Sequence, residues 1–107
     1  MTRKLAALFL LGLATPALAQ EQAPAQERVI SNEMELAGWC EQEAKHRYIA
    51  RNITPYQWTS RYFERSNVLH VEGSLRVHGE DVQVRCRAAR GAREQYAVIE
   101  IDDPAAR

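Results

Sequence analysis

Cysteines, histidines and arginines are the residues of this chain whose chemistry could serve a function. Cys40 stands in GWCEQEAKHRY, among acids, bases and His46. A cysteine in such surroundings can be a reactive thiol, a metal ligand or one half of a disulfide. The one other cysteine is Cys86. In a small exported domain, which the N-terminus described below indicates, two cysteines usually pair, and we predict a Cys40–Cys86 disulfide.

The two other roles of the cysteines are disfavoured. Exported thiols are readily oxidised, and an apolar helix face raises a thiol pKa where a nucleophile needs it lowered. The chain has no CxxC pair, and on an extended strand His70 and His78 would stand about 26 Å apart, too far to share one ion within a monomer. With no acid–base or nucleophile arrangement apparent, we predict neither an enzyme nor a cofactor nor a metal site.

Arginines recur on the polar side of the predicted strands and suggest a binding face. That face could bind an anion, such as a glycan carboxylate, a lipid phosphate or an acidic strip on a protein. It could equally be an ordinary solvated sheet surface with one cross-strand ion pair. The candidate face comprises Arg61, His70, Arg76, Arg85, Arg87, Tyr96 and Val98.

One helix and four strands must position these residues. Asn32 is a suitable N-cap and Glu35 follows three residues later, which predicts a helix from Glu33 to about Ala50. Period-two alternation predicts strands at 56–63, 68–77, 82–88 and 96–101, joined by short polar turns. We therefore predict an α+β fold, with one N-terminal helix packed on a four-stranded antiparallel meander and stapled to it by the disulfide.

The pattern also predicts a strand register. Pairing Val77 with Val82 across the second turn places Gly73 opposite Cys86, and it sets Glu72 opposite Arg87. Pairing Phe63 with Val68 across the first turn places Trp58 opposite Gly73, where the indole would cover the missing side chain.

The chain ends predict export. Residues 1–19 combine Arg3 and Lys4 with a short apolar run and a small-residue site at Ala17-Leu18-Ala19, which is the pattern of a cleaved signal peptide. A polar lead-in at 20–28, a single domain at 29–103 and a tail at 104–107 follow. We expect a periplasmic or secreted protein whose mature chain does not insert stably into a membrane.

Charge and the last strand bear on partners. The chain has 14 basic and 14 acidic residues, so no global field attracts nucleic acid. Residues 96–101 are apolar on both sides. Phe63 and Val68 fall on the side of the sheet that the pattern predicts to be solvent-exposed, which indicates that part of this side is covered. That cover is either the segment 28–30 or another chain, a second copy or another exported protein.

We predict a non-enzymatic protein-binding or accessory domain, an inhibitor or envelope-complex subunit, with an anionic-ligand or glycan binder as the alternative.

Overall fold

The computed structural model describes residues 28–106, which form one helix and six strands. The predicted signal peptide and all of the lead-in except Arg28 lie outside these residues. The helix is α1 (Glu33–Ile49), and the strands are β1 (Val29–Ile30), β2 (Tyr56–Arg65), β3 (Val68–Val77), β4 (Glu80–Ala89), β5 (Ala92–Arg93) and β6 (Val98–Ile101). Short 3-10 turns lie at Glu94–Tyr96 and Pro104–Ala106.

The sheet confirms the predicted fold class. β2, β3, β4 and β6 form an antiparallel sheet in that order, with α1 packed on one face. We call the face toward α1 the inner face and the opposite one the outer face. β1 and β5 form a separate antiparallel pair that the sequence pattern did not predict. Tyr96, predicted to begin the last strand, lies instead in the 3-10 turn before it.

The predicted cap starts α1. Asn32 Oδ1 accepts a hydrogen bond from the Glu35 N–H at 2.9 Å, and Glu35 Oε1 accepts one from the Ser31 N–H at 2.7 Å. Glu33 and Glu35 lie in the first turn and His46 and Arg47 in the last, an arrangement that complements the helix dipole. The helix ends one residue earlier than predicted.

The core lies between α1 and the inner face. The helix buries the predicted stripe: Leu36, Ala37, Cys40, Ala44 and Tyr48. Strands β3, β4 and β6 oppose it with alternate residues: Leu69, Val71, Leu75, Val77, Val84, Cys86, Ala88 and Ile101. Full burial of one such aliphatic side chain contributes about 1.5–3 kcal/mol, so this layer supplies most of the folding energy.

The predicted disulfide is present in this layer. Cys40 of α1 and Cys86 of β4 are bonded, with their Cα atoms 6.0 Å apart and a sequence separation of 46. Both residues are buried. Closing a loop of this length contributes about 4 kcal/mol by chain entropy.

The predicted strand register is wrong by two residues. The turns contain two residues each, so Arg65 pairs with Val68 and Val77 with Glu80. Every turn residue has a positive φ, namely Ser66 at 53°, Asn67 at 62°, His78 at 53° and Gly79 at 81°. Two-residue turns of this kind match the twist of the flanking strands, which is why they replace the longer predicted ones.

The shifted register changes the partners predicted across the sheet. Cys86 lies opposite Val71, and Gly73 lies opposite Val84 on one side and Ser60 on the other. Trp58 nevertheless covers Gly73 as predicted, because a Cβ at position 73 would fall 2.2 Å from its ring. Glycine at this position makes room for the indole.

Both ends of the described chain pack against the core. Ile30 of β1 is buried in the core beneath α1, so this segment does not cover the outer face. The predicted tail packs as well, since Ala106 is buried and the turn at Pro104–Ala106 contacts α1. Next to that turn, the Tyr48 hydroxyl donates a hydrogen bond to Asp103 Oδ2 at 2.7 Å.

Candidate functional site

Six of the seven predicted binding-face residues lie on the outer face. Their register positions alternate with those of the buried inner-face residues. The members on the sheet are Arg61, His70, Arg76, Arg85, Arg87 and Val98. Tyr96 lies beside them in the turn that leads into β6. No helix or strand of residues 28–106 packs across this face.

Three of the four arginines are paired with carboxylates. Arg61 Nε donates to Glu72 Oε1 at 2.9 Å, and Arg76 Nη1 donates to Asp81 Oδ1 at 3.1 Å. The Arg85 guanidinium contacts Glu100 Oε1 at 3.3 Å. The stripe predicted from sequence is therefore largely charge-compensated.

Arg85 has a second acidic partner. Its Nη2 lies 3.4 Å from Asp102 Oδ1, and its Nε contacts Glu100. These hydrogen bonds, led by that to Asp102, raise the pKa of Arg85 above its ordinary value. Arg61, Glu72, Arg85 and Glu100 thus form one cross-strand rung of alternating charge, which we call the charged rung.

Arg87 lies on a different rung, where no acid faces it. The register places Phe63, His70, Arg87 and Val98 opposite one another across all four strands. We call this row the middle rung. Arg87 is exposed and makes no ion pair or hydrogen bond with a side chain within residues 28–106. Glu72, predicted opposite Arg87, lies opposite Arg85 instead.

Two rings form the β2 end of the middle rung. The Phe63 and His70 rings stack with centroids 4.8 Å apart and planes 8° apart. The Arg65 guanidinium lies above the Phe63 ring, 5.7 Å from its centroid. Aromatic residues and arginine are enriched in protein interfaces, where a few residues supply most of the binding energy.

Apolar side chains are exposed at the β6 end. Val98 is 38% and Tyr96 66% exposed. On the inner side, Ile99 of β6 and Ala97 just before this strand are half-buried and line a groove of about 360 Å³ beside Trp39 of α1. Both sides of β6 therefore present apolar surface near the sheet edge, in agreement with the two-sided pattern of the sequence.

Arg90 does not belong to the arginine-lined outer face. Its guanidinium donates hydrogen bonds to Glu64, which lies on the inner side of β2. Its Nη1 also donates to the Ser31 carbonyl at 2.6 Å. The hydrogen bond from Arg90 lowers the pKa of Glu64 below its ordinary value. Arg90 thus joins β2 to the start of α1 and has a structural role.

Within residues 28–106, no group of three or more histidines, cysteines, aspartates or glutamates could hold a metal ion. No helix in the range is long and apolar enough to cross a membrane.

Comparison with known proteins found no relative. No protein-family model, curated protein or solved structure matches this chain.

Proposed function

We propose that this protein is an exported, non-enzymatic accessory domain that binds another exported protein through the outer face of its sheet. The observation that carries the proposal is the middle rung. It places two stacked rings, a guanidinium without an acidic partner among residues 28–106 and an exposed valine in one row, on a face that no helix or strand of that range covers. Aromatic residues and arginine dominate binding energy in protein interfaces.

The rest of the molecule supports this role. The Cys40–Cys86 disulfide is typical of proteins that fold in an oxidising compartment, in keeping with the signal-peptide pattern. It also fixes α1 to the inner face, so that the outer face is a rigid platform. A rigid surface loses little conformational entropy on binding.

Co-purification from the native envelope tests the proposal. Tagged wild-type protein is expected to capture a specific partner, and Phe63→Ala is expected to lower capture about tenfold or more. The matched control is Tyr62→Ala, because Tyr62 is the adjacent aromatic residue of β2 but faces the inner side. His70→Ala provides a second variant of the same stack. Equal capture by wild type and both stack variants would refute the proposal.

A small anionic ligand is a second candidate function, because Arg87 lacks a carboxylate partner within residues 28–106. A glycan carboxylate or a phosphate bound there would raise the melting temperature, since a ligand of the native state stabilises it. The rise with polygalacturonate or inorganic phosphate should disappear in Arg87→Gln. It should persist in Arg61→Gln, where the arginine lost is already paired with Glu72. No rise in wild type would exclude this candidate.

A further inference from the structure

The two edges of the sheet differ in how well they are protected. Edge β2 carries a bulge at Gln57, where φ is 56°, and the charged residues Arg61, Glu64 and Arg65. Bulges and charges are the usual devices that prevent a second strand from pairing with an edge. Edge β6 has neither a bulge nor a proline, and its single charge is Glu100.

The hydrogen-bond pattern shows which groups β6 turns outward. The Asp102 N–H donates to the Gln83 carbonyl at 3.0 Å, so these residues form a hydrogen-bonded pair that continues the β4–β6 ladder. Hydrogen-bonded and non-hydrogen-bonded pairs alternate along an antiparallel ladder. Ile99 opposite Cys86 is therefore a non-hydrogen-bonded pair, and the N–H and C=O of Ile99 point away from β4.

We propose that β6 pairs antiparallel with β6 of a second copy of this chain, about a two-fold axis at Ile99. Each Ile99 then donates to and accepts from Ile99 of the second copy, and the two sheets become one of eight strands. The axis is perpendicular to the sheet, so both α1 helices lie on the same side. The pairing spans Val98–Glu100, because the Ala97 N–H already donates to Glu94.

Charge complementarity supports this register. Val98 lies opposite Glu100 of the second copy. The middle rung of one chain therefore continues across the interface as the charged rung of the other. The added carboxylate is two strands from Arg87, about 10 Å between backbones. An arginine and a glutamate side chain together span that gap. Arg87 thus gains an acidic partner, which it lacks among residues 28–106 of its own chain. Each Glu100 remains next to its own Arg85.

The neighbouring register is disfavoured by the same charges. A two-fold axis at Glu100 places the two Glu100 side chains directly opposite each other, and like charges in such a pair are destabilising. The pairing uses the β6 edge and Arg87 and leaves the Phe63–His70 stack open. Loss of partner capture in Phe63→Ala and His70→Ala therefore tests the proposed function without altering a residue that the pairing uses.

Sedimentation equilibrium of the purified protein tests the pairing. Wild type is expected to show a concentration-dependent dimer. Arg87→Glu and Glu100→Arg should each weaken association about tenfold or more, since both place like charges together. An equimolar mixture of the two variants should restore the dimer, because both contacts of the mixed pair join opposite charges.

A backbone variant gives a separate readout. Ile99→Pro removes an N–H that points away from β4, where proline is tolerated on an edge strand, and it should abolish the dimer. If this variant does not fold, the charge variants decide the outcome. A wild-type protein that remains monomeric up to about 1 mM, a dimer that survives Ile99→Pro, or a mixture that associates no better than its components would overturn the proposal.

Discussion

On the inner face of the sheet, β3 and β4 bury alternate apolar residues under α1, and a disulfide joins the layers. On the outer face, side chains of neighbouring strands form ion pairs in water, such as that between Arg61 of β2, which is 78% exposed, and Glu72 of β3. Exposed pairs contribute about 0–1 kcal/mol each, far less than a buried aliphatic side chain.

We expect this difference to separate stability from the binding proposed for the outer face. A strand that is held in place by burial of one face can accept substitutions on its other face without unfolding. Substitutions on the inner face should therefore change the free energy of unfolding, and substitutions on the outer face should change binding at nearly constant stability. Four predictions test this division, in order of decreasing effect.

Removal of the disulfide should have the largest effect. Cys40→Ala combined with Cys86→Ala frees a loop of 46 residues, and we expect the free energy of unfolding to fall by about 4 kcal/mol. Urea denaturation of the double variant measures it, with wild type under reducing conditions as the control. A decrease in the free energy of unfolding of less than about 1 kcal/mol would show that the disulfide contributes little to the stability of the inner layer.

Filling the space at Gly73 should come next. Gly73→Ala places a Cβ 2.2 Å from the Trp58 ring, so the indole must move away from the sheet. Overpacking of this kind costs about 1–3 kcal/mol. Thermal unfolding should show the loss in Gly73→Ala and a smaller loss when Trp58→Leu is added to it. If the added substitution worsens stability by its full separate cost, the two residues are not in contact.

Tyr48→Phe should have a moderate effect that depends on pH. It removes the hydroxyl that donates to Asp103, which should cost about 1–2 kcal/mol at neutral pH. Burial, assisted by that hydrogen bond, raises the pKa of Tyr48 above its ordinary value of about 10. The folded protein therefore holds this proton where the unfolded chain loses it, and stability should fall as the pH rises above about 10.

The pH dependence distinguishes burial of the hydroxyl from simple packing of the ring. Wild type and Tyr48→Phe are compared by urea denaturation at neutral and alkaline pH. The free energy of unfolding should fall less between neutral and alkaline pH in Tyr48→Phe than in wild type, because the variant has no Tyr48 hydroxyl to ionise. Parallel declines in both proteins would contradict the assignment.

Arg61→Gln should have the smallest effect on stability. The Arg61–Glu72 pair is exposed and lies on the β2 edge. We expect the melting temperature to stay within about 2 °C of wild type. A large drop in melting temperature would mean that the outer face contributes to the stability of the fold. It would contradict the contrast between the two faces.

The fold could be predicted from the sequence where a single pattern determines it. The spacing of Leu36, Cys40, Ala44 and Tyr48 defines a helix stripe, and alternation in β3 and β4 defines the face that meets it. Both cysteines fall on these apolar faces, which is sufficient to predict their bond. The Trp58–Gly73 contact was also predicted, because a large ring next to a glycine on one face is favourable in either register.

The site was harder to predict because it depends on register. Ser66-Asn67 has no glycine and His78-Gly79 begins with a histidine, so neither resembles the Asn-Gly pair typical of two-residue turns. A shift of two residues keeps every side chain on its face but changes its cross-strand partner. The Phe63–His70 stack and the Arg61–Glu72 ion pair were therefore missed. A two-residue turn at Ser66-Asn67 would have revealed both.

The outer face can be tested most directly through the three histidines of this chain. His70 lies on the middle rung, whereas His46 lies on the exposed surface of α1 and His78 in the turn between β3 and β4. Diethyl pyrocarbonate modifies accessible histidines, and its reaction can be compared between purified protein and the native envelope. If a partner covers the outer face, His70 should be modified far less in the envelope, while His46 and His78 react equally in both. Equal modification of His70 in both preparations would contradict a covered outer face.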